Sequence, residues 1–343
     1  MTSDAGSRDD WTAPGAFEVA PGVHRVPLPL PNDGLRAVNV YVLRADDGLV
    51  LVDSGWAIAE ARATLDAALK ELDASVSDVR RFLVTHVHRD HYTQAVHLRR
   101  EFGMRVSLGA GERASLEASM APDRNPLAEQ LGHLRLLGAG DLADTLAGLI
   151  GARRPADYWE LPDDWFQDGQ RVRHGDRVLD VVETPGHTRG HVVFHDTAER
   201  LLFAGDHVLP TITPSIGFEA TLSANPLGDF LGSLALVRQR PDARLLPAHG
   251  AVTESVHARV DELVAHHGAR LDQTEAAVAR GARSAYEVAG QLRWTRRERR
   301  LGELDPFNTM LAVTETAAHL DLLAAQGRLT RTDVDGLRCY ATA

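Results

Sequence analysis

The sequence is short of cysteine, lysine and long apolar runs. Cys339 is the single cysteine in 343 residues, so a disulfide within the chain is impossible and disulfide-rich secreted folds are excluded. No stretch approaches the roughly 20 apolar residues of a membrane-spanning helix, and the polar, acidic first ten residues do not resemble a signal peptide. We therefore expect a cytoplasmic protein with no membrane partner.

Positive charge is also scarce, since the formal net charge is −11. Lys70 is the only lysine, and the other basic residues are arginines. An acidic chain repels polyanions at long range, so nucleic-acid binding would need a local basic patch. The hydrophobic share of 44% and the charged share of 25% are those of an ordinary folded protein. These values favour a small-molecule partner, with nucleic acid as the less favoured alternative.

Strand and helix patterns alternate through most of the chain before Gly250. Apolar runs at Ala37–Leu43 and Leu49–Val52 flank an Asp-Gly turn and predict a hairpin. A helical pattern over Ala57–Leu72 is followed by a short apolar strand, Phe82–Thr85, and this alternation predicts a layered α/β domain. The expected organisation is a flexible leader (1–17), this domain (18–250) and a helical segment ending in a hairpin (251–343).

Residues 111–168 interrupt the alternation. The segment is rich in Ala and Leu, which predicts a helical insertion, and it ends in the aromatic group Tyr158, Trp159, Trp165 and Phe166. One interpretation is a surface elaboration packed on the domain. The other is a lid whose aromatic rings face a substrate, because long insertions in compact domains are often functional.

Three histidines and an aspartate are concentrated in the segment Thr85-His86-Val87-His88-Arg89-Asp90-His91. An apolar strand leads into it, and because side chains alternate along a strand, His86 and His88 face the same side. The chain then turns, so Asp90 and His91 can approach the same point from the start of the next helix. Such a concentration is not expected of a solvated loop without a function.

Three further motifs place a histidine or an aspartate where an apolar strand ends. They are Thr184-Pro185-Gly186-His187, Ala204-Gly205-Asp206 and Pro247-Ala248-His249-Gly250. Each motif is weak alone, because a single polar residue at a strand end is commonly satisfied by its neighbours. Together they indicate one site, since functional residues of α/β folds gather at strand ends.

Taken in order, these motifs resemble those of the metallo-β-lactamase superfamily. THVHRDH resembles the HxHxDH signature, while LVDSG, TPGH, AGDH and PAHG resemble the first, third, fourth and fifth motifs. The resemblance covers roughly residues 18–250. It implies an α/β fold of the αββα sandwich type, in which two sheets face each other, helices lie outside and metals bind at one edge.

The resemblance also implies a dinuclear centre holding two Zn²⁺ ions, or iron or manganese in their place. One metal would be held by His86, His88 and His187, the other by Asp90, His91 and His249, and both by the bridging Asp206. Imidazole nitrogen and carboxylate oxygen are ligands that zinc prefers. A hydroxide shared by the metals would be the nucleophile.

Other residues are expected to support this centre. Asp90 would orient the nucleophile and is the expected catalytic residue. Asp53 and His191 would orient the ligating side chains, since metal-bound histidines usually need such partners. His207 is a candidate substrate contact, and a structural role is an equal alternative.

The resemblance narrows the reaction without naming a substrate. True β-lactamases of the superfamily have no aspartate at the bridging position, whereas thioesterases of the glyoxalase II type, lactonases and phosphodiesterases do. We favour attack on a thioester or lactone carbonyl, because the apolar insertion suits a small-molecule acyl substrate. The alternatives are a phosphodiesterase or endoribonuclease acting on single-stranded RNA, a mononuclear iron persulfide dioxygenase, and a metal-binding protein without activity.

The segment after Gly250 resembles the winged-helix domain of lactamase-like endoribonucleases and acyl-carrier thioesterases. Winged helices often bind duplexes, and the arginines of 293–300 offer a basic patch that Glu298 and Glu303 interrupt. The module can equally form a homodimer contact or a wall of the active site. Asn308 is expected to cap a helix in this segment.

Overall fold

Two β-sheets face each other at the centre of the molecule. The computed structural model describes residues 10–31, 33–121, 128–149, 158–219 and 221–343. The first sheet contains, in spatial order, Phe17–Ala20 (β1), Val23–Pro29 (β2), Ala37–Ala45 (β3), Gly48–Val52 (β4), Val79–Leu83 (β5), Arg105–Gly109 (β6) and Asp164–Phe166 (β7). The second sheet contains Arg171–His174 (β8), Arg177–Glu183 (β9), Val192–Asp196 (β10), Leu201–Gly205 (β11) and Arg244–Pro247 (β12), in the spatial order β12-β11-β10-β9-β8.

Helices cover the outer face of each sheet. The helices next to the first sheet are Ala59–Glu71 (α1), Arg89–Phe102 (α2) and Arg113–Met120 (α3). Those that follow are Ala128–Leu136 (α4), Gly140–Leu149 (α5), Pro226–Gln239 (α6) and Val256–Ala279 (α7), with α6 and α7 packed on the second sheet. The order of layers is therefore helix, sheet, sheet, helix, and the expected αββα sandwich is confirmed.

The sandwich follows from strands that are apolar on both faces. In β10, Val192 and Phe194 point into the layer between the sheets, whereas Val193 points toward the helices outside. All three side chains are fully buried. A continuous apolar strand of this kind needs cover on both sides, which a second sheet and a helical layer supply.

Parallel strand pairs bring the ends of distant segments together at one edge. β4 is parallel to β5, with Val52 opposite Leu83, and β11 is parallel to β12, with Gly205 opposite Pro247. The residues that leave these strands include Asp53, Asp206 and His249. The motifs singled out in the sequence therefore meet at this edge.

The first part of the chain and the insertion pack against the sandwich where the structure describes them. Residues 1–9 of the expected leader, and residues 122–127 and 150–157 of the insertion, lie outside the described ranges. The described part of the leader contacts the first sheet, because Arg25 of β2 donates to the carbonyl oxygen of Trp11 and β1 begins at Phe17.

Helices and a small sheet complete the chain after α7. They are Ala285–Gln291 (α8), Pro306–Ala325 (α9), Leu329–Val334 (β13) and Leu337–Thr342 (β14). Asp305, and not Asn308, caps α9, because its carboxylate accepts the backbone N–H of Phe307 and of Asn308 at 3.1 Å. Helices α4 and α5 share an apolar core with α9. Within the described ranges, no helix has the length and apolarity needed to span a bilayer.

Candidate metal centre

Seven side chains capable of metal ligation come together where four strands end and one helix begins. His86 follows β5, Asp90 and His91 lie in the first turn of α2, and His88 precedes that helix. An acidic residue at a helix N-terminus is favoured by the helix dipole. The second sheet supplies the other three, namely His187 after β9, Asp206 after β11 and His249 after β12.

The seven side chains form two groups. In each group one candidate ligand atom per residue lies within 4.8 Å of the others. The first group is His86, His88, His187 and Asp206, and the second is Asp90, His91 and His249. The structure thus brings together the seven side chains named from the sequence, with Asp206 in the first group, and both sheets contribute to each group.

The carboxylate of Asp206 lies between the two groups. Its Oδ2 is 3.5 Å from Nε2 of His187, and its Oδ1 is 3.4 Å from Nε2 of His249 and 3.7 Å from Nε2 of His91. Asp90 Oδ2 lies 3.5 Å from His249 Nε2. Ligand atoms about 2.1 Å from a tetrahedral zinc ion are about 3.4 Å apart, so these separations are compatible with metal ligation.

Hydrogen bonds at Nδ1 set the tautomer of four of the five histidines. The donor–acceptor pairs are His86 with Thr85 Oγ1, His91 with Asp53 Oδ2, His187 with the Ser215 carbonyl and His249 with the Ala37 carbonyl, at 2.8–3.1 Å. The Asp53 carboxylate and the two carbonyl oxygens can only accept, and the Thr85 hydroxyl accepts because its own proton goes to Asp53, so each Nδ1 carries a proton. In the neutral imidazoles each Nε2 therefore presents a lone pair to the cluster.

Asp53 and His191 hold the surrounding backbone in place. Asp53 has a positive φ of 61°, which is uncommon outside glycine, and its carboxylate accepts from the Thr85 backbone and hydroxyl as well as from His91. His191 Nε2 accepts the backbone N–H of Asp206 at 3.1 Å, while its Nδ1 donates to Thr184. Both residues orient ligating groups without lying in either group.

The carboxylates create a negative potential at the centre. Burial alone would lower the pKa of His91, but Asp53, Asp90 and Asp206 outweigh burial and raise that pKa to about 10. Burial also opposes the charged form of Asp90, yet His91 and His249 outweigh it and lower the pKa of Asp90. A potential that attracts a proton this strongly also attracts a divalent cation.

Unpartnered buried atoms show that the residues fit such a cation. Among the residues that the structure describes, Nε2 of His86, His91 and His249 and Oδ1 of Asp206 are buried without a hydrogen-bond partner. Four adjacent buried acceptors would be costly to leave unsatisfied. Metal ligation satisfies all four, and the nitrogen and oxygen donor set suits zinc.

Two expected substrate contacts are wrong. Phe166 is 1% exposed and lies in the core between the sheets, where its ring packs edge-on against Phe194. His207 is fully buried and packs against Phe230 of α6, because the chain turns after Asp206 and directs it inward. Neither ring is available to a substrate.

The remaining aromatic residues of the insertion pack on neighbouring elements. Tyr158 stacks on His97 and Trp159 stacks on Tyr92, both on α2. The Trp165 ring lies 4.3 Å from the guanidinium of Arg113. The described contacts of these rings are with the outside of the first sheet, so they do not support an aromatic lid.

Glu112, at the start of the insertion, contacts the loops that carry the clustered histidines. Glu112 is fully buried and accepts from the Thr188 hydroxyl and from the Val87 backbone, next to the clustered His187 and His88. Burial and the neighbouring Glu219 raise the pKa of Glu112 to about 8. This role could not be predicted from local sequence patterns, because the contact joins residues 76 positions apart.

The loop after Asp206 links the centre to the C-terminal helices. Ser215 holds His187, and Phe218 packs edge-on against Phe307 of α9 with ring centroids 5.5 Å apart. Phe307 is 47% exposed, so the pair presents an apolar surface beside the loop. A Cβ atom on Gly217 would lie 3.0 Å from the Thr314 carbonyl, which shows how closely α9 supports this loop.

A third group of residues capable of metal ligation lies between α7 and α9. His266, His267 and Glu315 place candidate ligand atoms within 4.8 Å of one another. Burial and the nearby Arg270 lower the pKa of His266, and a guanidinium disfavours a cation. His267 donates to His319 at 3.2 Å. These residues are better described as a polar network inside the C-terminal helices.

Comparisons with known proteins agree with this geometry. The model of a family described as the metallo-beta-lactamase superfamily matches residues 33–249. The chain is 25% identical over 311 residues to the probable metallo-hydrolase YqjP of Bacillus subtilis, covering 89% of this chain and 92% of that protein. It is 28% identical over 194 residues to the acyl-coenzyme A thioesterase MBLAC2 of Homo sapiens, covering 52% of this chain and 60% of that protein.

Similarity to a solved structure extends beyond the family match. A beta-lactamase domain protein from Burkholderia ambifaria superimposes with a TM-score of 0.77 at 30% sequence identity, over 96% of this chain and 93% of that one. The likeness therefore includes the helices and small sheet after His249. The family match ends at His249, the last of the clustered side chains. On this evidence the chain belongs to the metallo-beta-lactamase superfamily and is a metal-dependent hydrolase.

Proposed function

We propose that the protein hydrolyses acyl thioesters, with a lactone carbonyl as a related substrate. The observation that carries the proposal is the apolar surface of Phe218 and Phe307 beside the loop that holds His187. An exposed aromatic pair next to a polar reaction centre suits an acyl chain better than a polyanion. The thioesterase name of the human relative supports the same class of substrate.

The residues of the chain have separable roles in this proposal. The two groups of side chains would hold two metal ions, which supply Lewis acidity and lower the pKa of a bound water. Asp206 fixes the spacing of the two groups, and Asp90 orients the attacking group toward the carbonyl carbon. His191 holds the Asp206 backbone in position, because its Nε2 accepts the Asp206 backbone N–H. Thr85 and Asp53 prevent His86 and His91 from rotating.

Finer features belong to the same proposal. We take the metal site to be of the glyoxalase II type, with Zn²⁺ as the resident metal and the cytoplasm as the compartment. We take the segment α7–β14 to be a winged-helix domain, with the β13–β14 hairpin as its wing. The order of three helices followed by a hairpin supports this assignment.

An RNA phosphodiesterase is the second candidate, because five arginines crowd into residues 293–300. Helix α9 argues against it. In a winged helix the helix before the wing enters the nucleic-acid groove, whereas α9 has buried residues on all sides, including Met310, Val313 and Leu320. A helix surrounded by protein cannot enter the groove of a duplex, and a single strand needs a continuous basic track, which the one short run 293–300 does not provide.

The test compares substrate classes on the metal-loaded protein. We expect kcat/KM for a medium-chain acyl thioester to exceed that for bis(p-nitrophenyl) phosphate and for single-stranded RNA by at least about a hundredfold. Asp206→Asn should reduce thioester hydrolysis by about a hundredfold or more, because the shared carboxylate loses its charge. Asp196→Asn, a buried carboxylate at the far end of β10, is the control and should retain activity. Preferential cleavage of RNA would overturn the proposal.

A further inference from the structure

A basic turn lies between α8 and α9. Residues 293–300 have the sequence Arg-Trp-Thr-Arg-Arg-Glu-Arg-Arg, with five arginines and one glutamate and a net charge of +4 in a chain of net charge −11. Paired backbone hydrogen bonds between Trp294 and Arg299, both 2.8 Å, close the turn. We call these residues the arginine turn.

The arginine turn is anchored at its base. Trp294 is 8% exposed, its indole N–H donates to the Ala289 carbonyl, and the guanidinium of Arg270 lies 4.0 Å from its ring centroid. Arg270 also donates to the Arg293 carbonyl. The base of the turn is therefore fixed on α7 and α8, while residues 295–300 are exposed.

The loop after Asp206 brings the arginine turn near Gly250, the neighbour of His249. Arg296 donates to the carbonyl of Thr211, in the loop that follows Asp206. The Thr211 hydroxyl lies 4.0 Å from where a Cβ on Gly250 would stand, and Gly250 is next to the ligand His249. The turn is thus separated from a metal ligand by one loop residue and one glycine.

Free guanidinium groups remain at the tip of the turn. In the part of the chain that the structure describes, the side chains of Arg297 and Arg299 have no hydrogen-bond or carboxylate partner, unlike Arg62 or Arg328, which pair with acidic residues. Glu298 interacts with the buried Arg270. The turn therefore presents positive charge that no residue in the described ranges neutralises, which is the chemistry that recognises phosphate.

The same loop thus meets two different surfaces. Near Ser215 it joins the apolar pair of Phe218 and Phe307, and near Thr211 it joins the arginine turn. A substrate that matches both has an apolar acyl group at one end, a reactive carbonyl in the middle and phosphate groups at the other end. A polynucleotide needs a continuous basic track, and this single short turn does not provide one.

We propose that the arginine turn binds the phosphate groups of a phosphopantetheine thiol, so that the substrates are acyl thioesters of a phosphate-bearing carrier and not neutral thioesters. This inference rests on the proposed thioesterase function. In the reaction, water adds to the thioester carbonyl, the carbon–sulfur bond breaks, and the products are a carboxylic acid and the carrier thiol.

The experiment compares three thioesters with the same acyl chain. Acyl-coenzyme A carries nucleotide and pantetheine phosphates, acyl-4′-phosphopantetheine carries one phosphate, and acyl-N-acetylcysteamine carries none. For the first two, we expect Arg297→Ala and Arg299→Ala each to raise KM about tenfold at low salt with kcat unchanged. Hydrolysis of acyl-N-acetylcysteamine should change less than about twofold. Arg173→Ala, at an exposed position of β8, is the matched control and should behave as the wild-type protein.

Binding of free coenzyme A, measured by calorimetry, gives a readout that does not depend on catalysis. We expect the two arginine variants to weaken it about tenfold. If both kinds of thioester are hydrolysed equally and neither variant affects them, the inference is overturned while the thioesterase function stands. If no thioester is hydrolysed yet coenzyme A binding depends on the arginines, the phosphate site stands and the thioesterase function fails. Tighter, arginine-dependent binding of single-stranded RNA with cleavage would overturn both.

Discussion

At the scale of single residues, Asp206 differs from every other member of the metal centre. Its two oxygens face different groups, Oδ2 toward His187 and Oδ1 toward His249 and His91. The remaining six side chains each belong to one group. Loss of Asp206 should therefore affect both groups, whereas loss of another ligand should affect one.

The first prediction uses this difference. In Asp206→Ala we expect both metal equivalents to be lost or weakened by about 10- to 100-fold in affinity, because the shared carboxylate disappears. In His249→Ala we expect one equivalent to remain, held by the group around His86. Metal analysis after gel filtration, together with competition against a chelator, measures both. Two full equivalents in either variant would contradict the assignment.

Some features of single residues could be predicted from the sequence, and others could not. The seven clustered side chains were predictable, because strand ends and period-2 alternation are local features. The face on which Phe166 lies was not predictable, because alternation puts Trp165 and Phe166 on opposite faces without saying which face meets the second sheet. The role of Glu112 depends on a long-range backbone approach that leaves no local pattern.

At the scale of elements, a close contact between two backbone segments joins the start of the insertion to the loop that carries His187. A Cβ on Gly190 would lie 2.0 Å from the backbone nitrogen of Glu112, and a Cβ on Gly109 would lie 2.0 Å from the carbonyl oxygen of Gly190. Only glycine permits this contact between two backbones. It places the Glu112 carboxylate behind His88 and His187.

The second prediction concerns this contact. Gly190→Ala should destabilise the protein by about 2–4 kcal/mol, because backbone atoms on both sides must move. It should also weaken metal binding by the group that includes His187. Gly132→Ala is the control, since this exposed helical position has nothing within 4 Å of the added atom and the change should stabilise by about 0.5–1 kcal/mol.

Urea unfolding of the two variants, followed by circular dichroism, provides the measurement. Equal stability of Gly190→Ala and the wild-type protein would show that the two backbones do not pack as described. The elements themselves were largely predictable from the sequence pattern, whereas the αββα layers were implied by the family resemblance. The packing of α4 and α5 against α9 was not predictable, because the sequence pattern does not show which element an inserted helix packs against.

At the scale of the whole molecule, buried histidines couple the stability of the C-terminal helices to pH. Burial and its histidine neighbours lower the pKa of His267 to about 3, and burial lowers the pKa of His319 to about 4. The unfolded chain binds these protons near pH 6.5. The stabilisation of the folded state by these neutral histidines is therefore fully present above pH 6.5, and it is lost progressively as the pH falls toward 4.

The third prediction follows from this loss of stability at low pH. Between pH 7 and pH 5 the wild-type protein should lose about 2 kcal/mol of unfolding free energy through His319, a loss that His319→Gln should not show. Thr316→Val on the same helix is the control, because it alters a buried side chain without removing a titrating group. Metal loss at low pH is common to all three proteins and cancels in the comparison. Identical pH dependence of His319→Gln and the wild-type protein would refute the prediction.

The fourth prediction concerns metal removal. Because each group takes ligands from both sheets, a bound metal should stabilise the contact between the sheets. We expect chelation to lower Tm by about 5 °C or more, with recovery on adding zinc. Asp206→Ala should show a smaller response to the chelator. An unchanged Tm on complete metal removal would mean that the folded state does not depend on the centre.

The order of the ligands along the chain has a consequence for protein synthesis. The first group is complete in sequence at Asp206, but the second requires His249, the last of the seven to leave the ribosome. The anchor of His187 at Ser215 and the support of that loop by Thr314 are also synthesised after Asp206. All seven side chains are therefore present only once His249 has been synthesised, and a stalled or truncated chain that lacks His249 cannot complete the paired centre.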